Sequence, residues 1–269
     1  MADPRPIGLL DSGVGGLGVL REVRRLLPCE SFIYYADEAH MPYGPRSRAE
    51  IRGFVGDIVR FLLEHDCKMI VIPCNAANAA ALHWLRDQYP SLPIVGMEPA
   101  IKPAAEATRS GVVGVITTQV TFQGELFASV IDRFARGIQV ETQVCPEFVL
   151  LVENGAIDSP HSRQVVADYL APLVAAGIDQ LVIGCTHFTF LQDQLQAYLG
   201  DGVTIIDPAP AVARQTARIL AAHNNATDSP ADGTTNYYSS GAPEHLRELI
   251  VALLGEHDPL VAPAETSPT

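Results

Sequence analysis

Two cysteines frame the chemistry of this chain. Residues 69–85 read MIVIPCNAANAAALHWL and residues 181–192 read LVIGCTHFTFLQ. In each stretch a cysteine closes an apolar run, a hydrogen-bonding residue follows (Asn75 after Cys74, Thr186 after Cys185), and a helical pattern begins. A cysteine so placed can be a small hydrophobe in the core, a metal ligand or a reactive thiol. For one cysteine alone the packing reading comes first, but two at matching places shift the balance towards chemistry. Asn and Thr are good N-cap types. Each thiol is therefore expected at a helix N-terminus, where the dipole and free N–H groups stabilise a thiolate and can also hold a substrate carboxylate. His187, two residues beyond Cys185, stands in the same turn and could take or supply a proton.

A third stretch, Asp11–Gly18, reads DSGVGGLG and fits G-x-G-x-x-G at Gly13, Gly15 and Gly18. It follows an apolar run and opens a helical one. A second run ends at Asp37, 19 residues after Gly18, which is the layout of a dinucleotide fingerprint. Against that reading, Asp11-Ser12 puts a carboxylate where a pyrophosphate would approach. The plain alternative is a tight turn that needs glycine for its backbone. The loop YYADEAHMPYGPRSR (34–48) is shaped by two prolines around Tyr43-Gly44; its local pattern is that of a surface turn.

These residues must be positioned by the elements around them. Apolar runs at Ile7–Leu10, Phe32–Tyr35, Met69–Ile72, Ile94–Gly96, Val112–Ile116, Leu181–Ile183 and Val203–Ile206 read as buried strands. Helical patterns at Leu17–Leu27, Arg48–Glu64, Asn78–Gln88, Phe122–Arg136, Ser162–Ala175, Phe190–Tyr198 and Ala211–Ala222 lie between them. The alternation predicts an α/β fold of mainly parallel sheets flanked by helices, with ligands at the carboxyl ends of the strands. The order also repeats. Cys74 lies 63 residues after Asp11, and Cys185 lies 67 after Thr118, each pair joining one strand end to a later strand–cysteine turn. Two pseudo-symmetric lobes are expected: 1–98 and 99–210, with 211–257 returning to the first lobe and 258–269 a flexible tail. The polar stretch 224–236 is expected to be loose.

Composition bounds the rest. The 269 residues include 48 % hydrophobic and 18 % charged side chains, which is globular. The net charge of −13 argues against a nucleic-acid surface. No apolar run is long enough to span a bilayer, and MADPRPIGLLDSG has no signal-peptide pattern, so a cytoplasmic protein without membrane partners is expected. Five cysteines without CxxC argue against a disulfide framework. No metal site is expected, since only Cys185 and His187 are closely spaced. A symmetric homodimer is the default assembly.

DSGVGGL, YYADEAHMPYG, PCNAAN, GMEP, LLVENG and GCTHF together resemble the glutamate racemases of the cofactor-independent aspartate/glutamate racemase superfamily, from Ile7 to about Leu249. The resemblance implies a site in the cleft between two lobes, glutamate as the small-molecule substrate, no cofactor, and D-glutamate supplied for peptidoglycan. It implies Cys74 and Cys185 as the catalytic bases, Asp11 assisting Cys74, and His187 with Glu153 assisting Cys185. By the same resemblance Asp11, Ser12, Tyr43, Gly44, Asn75, Ala76, Thr186 and His187 line the substrate, with Thr118 and Thr121 adding contacts. Aspartate racemases usually carry a glutamate where His187 stands, so His187 favours glutamate. The chain departs from the family's CNTAT at Ala76 and Asn78, and Phe188-Thr189 replaces the usual Tyr-Pro. Three rivals stand beside this reading: an aspartate racemase, an NAD-dependent oxidoreductase using Gly13–Gly18, and a binding protein that kept the cleft without turnover. Racemisation without a cofactor needs a thiolate and a thiol on opposite faces of Cα, which two cysteine-bearing lobes supply. A pyridoxal lysine is not required, and Lys68 and Lys102 are the chain's only lysines.

Overall fold

The computed structural model describes residues 3–264. Its strands are β1 (Ile7–Asp11), β2 (Phe32–Ala36), β3 (Met69–Val71), β4 (Ile94–Val95), β5 (Val112–Thr117), β6 (Gln139–Val144), β7 (Gln180–Gly184), β8 (Thr204–Ile206), β9 (Thr235–Ser239) and β10 (Val261–Pro263). The helices are α1 (Leu17–Leu26), α2 (Arg48–Glu64), α3 (Asn75–Gln88), α4 (Ile101–Ala107), α5 (Gln119–Phe122), α6 (Glu125–Phe134), α7 (Pro146–Glu153), α8 (Pro160–Ala175), α9 (Gln192–Leu199), α10 (Ala209–Ala222) and α11 (Pro243–Leu254). A 3₁₀ turn, Thr186–Leu191, precedes α9.

The strands form two sheets, ordered β10-β9-β2-β1-β3-β4 and β6-β5-β7-β8, and every pairing is parallel. The α/β, two-lobed expectation holds. Helices cover both faces of such sheets, so central strands read as unbroken apolar runs; all five residues of β1, of β2 and of β7 are buried. The two sheets also repeat one topology. β1 sits between β2 and β3, as β5 sits between β6 and β7. The chain thus reverses its winding beside β1 and again beside β5, which opens a crevice at the carboxyl ends of β1/β3 and of β5/β7. Asp11 ends β1 and Cys74 follows β3; Thr117 ends β5 and Cys185 follows β7 directly. The repeat read from spacing is therefore a repeat of topology.

One apolar core runs under both lobes, joining Val14 and Leu17 of the first to Phe148, Val152 and Phe188 of the second. The Phe148 and Phe188 rings meet edge to face with centroids 5.1 Å apart. Phe188, one of the departures from the family string, is thus a core residue. After β8 the chain crosses back: α10 packs along α1, β9 pairs with β2, and β10 pairs with β9.

Several elements escaped the sequence reading. β6 has no fully buried residue; as a polar edge strand it lacks an apolar run. β9, TNYYS, takes Thr235 and Asn236 out of the stretch expected to be loose. The flexible-tail expectation is corrected over 261–263, where β10 gains a strand partner in β9; residues 265–269 lie outside the described residues. The expected helix over 122–136 is broken at Gly124.

Candidate active site

The first lobe contributes the end of β1, the turn after it and the start of α3. Cys74 is itself the N-cap of α3, with extended backbone angles, and Asn75 is the first helical residue. The expectation that Asn75 caps the helix is corrected accordingly. The turn is clamped by Asn78, whose Nδ2 donates to the carbonyls of Ile72 (2.7 Å) and Cys74 (2.8 Å) and whose Oδ1 accepts from Met97 N–H (3.1 Å). This second departure from the family string is a structural staple, and none of its polar atoms is left for a ligand. Cys74 Sγ lies 3.9 Å from Ser12 Oγ. Asp11, fully buried, accepts from Gly13 N–H (3.2 Å) through Oδ1 and from Thr186 Oγ1 (3.1 Å) through Oδ2. The last contact ties the two strand-end turns to each other across the lobes.

The second lobe contributes Cys185, Thr186 and His187. The helix expected after Cys185 is a 3₁₀ turn, so the two cysteine turns share topology but differ locally. His187 Nδ1 lies 3.8 Å from Cys185 Sγ, and Nε2 lies 2.5 Å from Glu153 Oε1. Glu153, the last residue of α7, also accepts Val14 N–H at 2.9 Å. Its partner oxygen, Oε2, is buried without a hydrogen bond. Two chains of contacts result: Cys74–Ser12–Asp11–Thr186, and Cys185–His187–Glu153–Val14.

Tyr43, Gly44, Thr118 and Thr121 belong to the surrounding wall. Tyr43 is buried, not a surface turn residue, and its hydroxyl donates to Asp37 Oδ2 at 2.6 Å. Asp37, where the second run of the dinucleotide-fingerprint layout ends, is the anchor of that loop and also accepts from Ser240 Oγ. Gly44 faces the second lobe: a Cβ on it would meet Thr118 at 3.6 Å. The hydroxyls of Thr118 and Thr121 contact each other at 3.1 Å. Asn75 is buried with both side-chain polar atoms unpartnered. Ala76 is buried in one cluster with Cys74, Tyr43 and Val120.

The glycines of DSGVGGLG have a spatial explanation. A Cβ on Gly13 would stand 1.9 Å from Glu153 Oε1; one on Gly15 would stand 2.4 Å from Thr186 Oγ1 and 2.5 Å from His187 Nδ1. The space in which a dinucleotide fold seats phosphate is filled here by side chains of the other lobe. The glycine spacing serves close approach of the lobes, and the oxidoreductase reading loses its support.

Burial dominates the electrostatics. It raises the Asp11 carboxyl to about 6, against the His187 charge and the Gly13 N–H. It pushes the Cys74 thiol well up, and the neighbouring Asp11 charge adds to that, while the Ala77 and Ser12 N–H groups pull the other way. The expected drift of this thiol towards neutral pH is therefore reversed: loss of water outweighs the helix N-terminus. Burial also disfavours charge on His187, yet its contacts with Cys185 and Glu153 outweigh this and hold it well above the ordinary histidine range. Glu153 is lowered despite its burial, by the His187 and Val14 hydrogen bonds and the His187 charge. His187 and Glu153 form a buried ion pair.

The raised Asp11 predicts a measurable stability effect. The folded chain keeps this proton up to about pH 6, whereas an unfolded aspartate loses it near pH 4. Stability therefore falls as pH rises through that window, and the whole penalty is present above it. An asparagine in its place would keep an acceptor for Gly13 and offer a donor to Thr186. Asp11→Asn is expected to stabilise the chain at pH 8 by on the order of 2–3 kcal/mol, with the gain gone near pH 4. Denaturant unfolding at both pH values checks this; a variant less stable than wild type at pH 8 contradicts it.

The family model for Asp/Glu/hydantoin racemases matches residues 17–216. The chain belongs to that family. Among the racemases with curated names, the glutamate racemase of Ectopseudomonas mendocina is 49 % identical over 251 residues, 93 % of this chain and 95 % of the relative. Among solved structures, the glutamate racemase isoform RacE1 of Bacillus anthracis superposes with a TM-score of 0.88 at 34 % identity, covering 97 % of each chain. The Escherichia coli glutamate racemase, solved with L-glutamate and the activator UDP-MurNAc-Ala, gives 0.84 at 34 % identity over 96 % of this chain and 98 % of the other. Membership of a racemase family makes the chain an isomerase. Among the described residues, no helix is long and apolar enough to cross a membrane.

Proposed function

We propose that this racemase interconverts L- and D-glutamate by proton transfer between Cys74 and Cys185, without a cofactor. The carrying observation is the pairing of the two cysteines with two separate buried acid–base relays, at equivalent strand ends of two sheets of one topology. The thiolate on one side takes the Cα proton: an S–H bond forms, and the C–H electron pair passes to Cα and the carboxylate. The thiol on the other side then gives its proton to the opposite face, and the chain is left ready for the reverse reaction. By family resemblance Cys185 takes the proton from L-glutamate and Cys74 from D-glutamate. A doubly protonated His187 donates from both nitrogens, so it can hand a proton to Cys185 or balance the charge left there while Glu153 holds the ring. Asp11 can serve the Cys74 side through Ser12.

The carbanion-like state needs donors on the carboxylate in a site that excludes water. Asn75, buried with its amide and carbonyl both unpaired, is the natural group to meet the α-carboxylate or ammonium, with the first N–H groups of α3 beside it. Glutamate is favoured over aspartate by His187 and by the curated names of relatives at 49 % identity. We also propose a cytoplasmic homodimer that supplies D-glutamate for peptidoglycan, on family resemblance and on the prevalence of symmetric dimers. Incubation with L-glutamate in D₂O without added cofactor tests the central reading. Cα deuteration with loss of optical activity is expected. Exchange confined to aspartate would favour the sister activity, and saturable binding without exchange a binding protein.

Ala76 gives a further prediction. In the first turn of α3 a threonine would add a hydroxyl beside Cys74, and Asn78 cannot supply one because its polar atoms are taken. One neutral hydrogen bond is worth about 0.5–1.5 kcal/mol, roughly threefold to tenfold in rate or affinity. The wild type is expected to be active, and Ala76→Thr to raise kcat/KM for glutamate by that factor. An inactive wild type rescued by several orders of magnitude would identify the natural protein as a binder.

A further inference from the structure

Behind the His187 relay lies a second group of acid–base side chains that the proposed reaction does not use. Glu38 follows β2, Glu153 ends α7, and His245 lies in the first turn of α11. One donor atom from each falls within 4.8 Å of the other two. Two carboxylate oxygens here, Glu38 Oε1 and Glu153 Oε2, are buried with no hydrogen-bond partner. Glu153 is only 2 % exposed. The opposite oxygens are already committed: Glu38 Oε2 accepts from Ser239 Oγ at 2.7 Å, and Glu153 Oε1 accepts from Val14 and His187. Buried carboxylate oxygens are normally paired, and two unpaired ones on carboxylates of one cluster call for a cation or a shared proton.

We propose that Glu38, Glu153 and His245 form a binding site for one divalent transition-metal cation. Two carboxylates and one imidazole are a hard-to-borderline O₂N donor set, suited to Mn²⁺, Co²⁺ or Zn²⁺ and open to water at the remaining positions. Metal–ligand bonds of about 2.0–2.2 Å place tetrahedral donors roughly 3.3–3.6 Å apart, so the three donor atoms, which lie within 4.8 Å of one another, draw closer when a cation binds. The three residues are far apart in sequence and give no ligand-spacing motif. Glu153 would be shared between the cation and His187. A cation that draws this carboxylate towards itself takes it from His187, so occupancy should slow turnover; that consequence rests on the proposed racemase reading, whereas binding does not.

The test titrates Mn²⁺ into the reduced full chain, following free Mn²⁺ by electron paramagnetic resonance, and repeats the titration with Co²⁺ by absorbance. One Mn²⁺ per chain is expected, at least tenfold weaker in His245→Ala and in Glu38→Gln, with circular dichroism unchanged. Bound Co²⁺ should show ligand-field bands without a thiolate charge-transfer band. No saturable Mn²⁺ binding up to millimolar concentration would overturn the site and leave a proton shared by Glu38 and Glu153. Binding unaffected by both variants, or a thiolate band, would overturn it in favour of the cysteines. Mn²⁺ should also lower kcat for L-glutamate in wild type and not in His245→Ala. Confirmed binding with unchanged kcat would refute the coupling to His187 and keep the site.

Discussion

Cys74→Ser and Cys185→Ser are each expected to lower glutamate racemisation by about 10³-fold or more, at the upper end of what a positioned acid–base group contributes. Serine keeps the shape and a hydrogen-bonding atom, so the fold should survive: the side chain at position 74 would keep its contact with Ser12, and that at position 185 its contact with His187. What serine lacks is an accessible conjugate base. Each direction needs one thiol as acid and the other as base, so both variants should lose turnover from both enantiomers, and equilibrium cannot shift. The sides are separable by isotope effects on Cα–H cleavage. Asp11→Asn should change the effect measured from D-glutamate more, and His187→Asn the effect from L-glutamate more. The checks are polarimetric racemisation and Cα deuterium incorporation from each enantiomer, with circular dichroism as the control for folding. Wild-type rates in either serine variant would remove that cysteine from the chemistry, and identical isotope-effect responses from Asp11→Asn and His187→Asn would dissolve the assignment of sides.

The parts of this site that could be read in sequence share one physical property: they are local. A buried parallel strand must be apolar throughout, so the runs before Asp11, Cys74 and Cys185 mark strand ends, and a parallel sheet puts ligands there. The spacing between those ends carried the pseudo-symmetry because each lobe repeats one winding. Contacts that depend on chain crossings left no such trace. Glu153 and His187 are 34 residues apart and belong to different elements; only resemblance brought them together. Asn78 read as a departure from a motif, whereas its side chain staples three backbone groups around the Cys74 turn. β6 and β10 were missed because edge strands need no apolar run, and β9 because only Tyr237 and Ser239 of its TNYYS are fully buried. The thiol chemistry was legible in kind and misread in energetics, since a helix N-terminus is visible in sequence and the degree of desolvation is not.

The glycine at position 13 separates the local from the long-range explanation most sharply. In a dinucleotide fold its substitution would act through a bound phosphate. Here a Cβ would stand 1.9 Å from Glu153 Oε1, the oxygen that accepts both Val14 N–H and His187. Gly13 is not among the glycines with positive φ, so alanine brings no backbone strain of its own and the whole effect must come from that collision. The flanking core of Val14, Leu17, Phe148 and Phe188 is continuous between the lobes, which makes a wholesale shift of the loop costly; the Glu153 carboxylate is the part able to move. Displaced, it abandons His187, whose elevated pKa rests on its contact with Cys185 and on this one with Glu153. Gly13→Ala is therefore expected to cut kcat by on the order of 10²-fold or more. The His187 pKa should fall towards its ordinary value near 6.5, moving the loss of its proton to lower pH in a titration followed by imidazole NMR. Glu153→Gln should reproduce the shift without the steric clash, and the two changes combined should not add, because they remove the same contact. A Gly13→Ala protein with wild-type turnover and an unmoved His187 titration would show that the lobes separate readily, and that the close approach of the DSGVGGLG turn to Glu153 is not what sets the protonation of the relay.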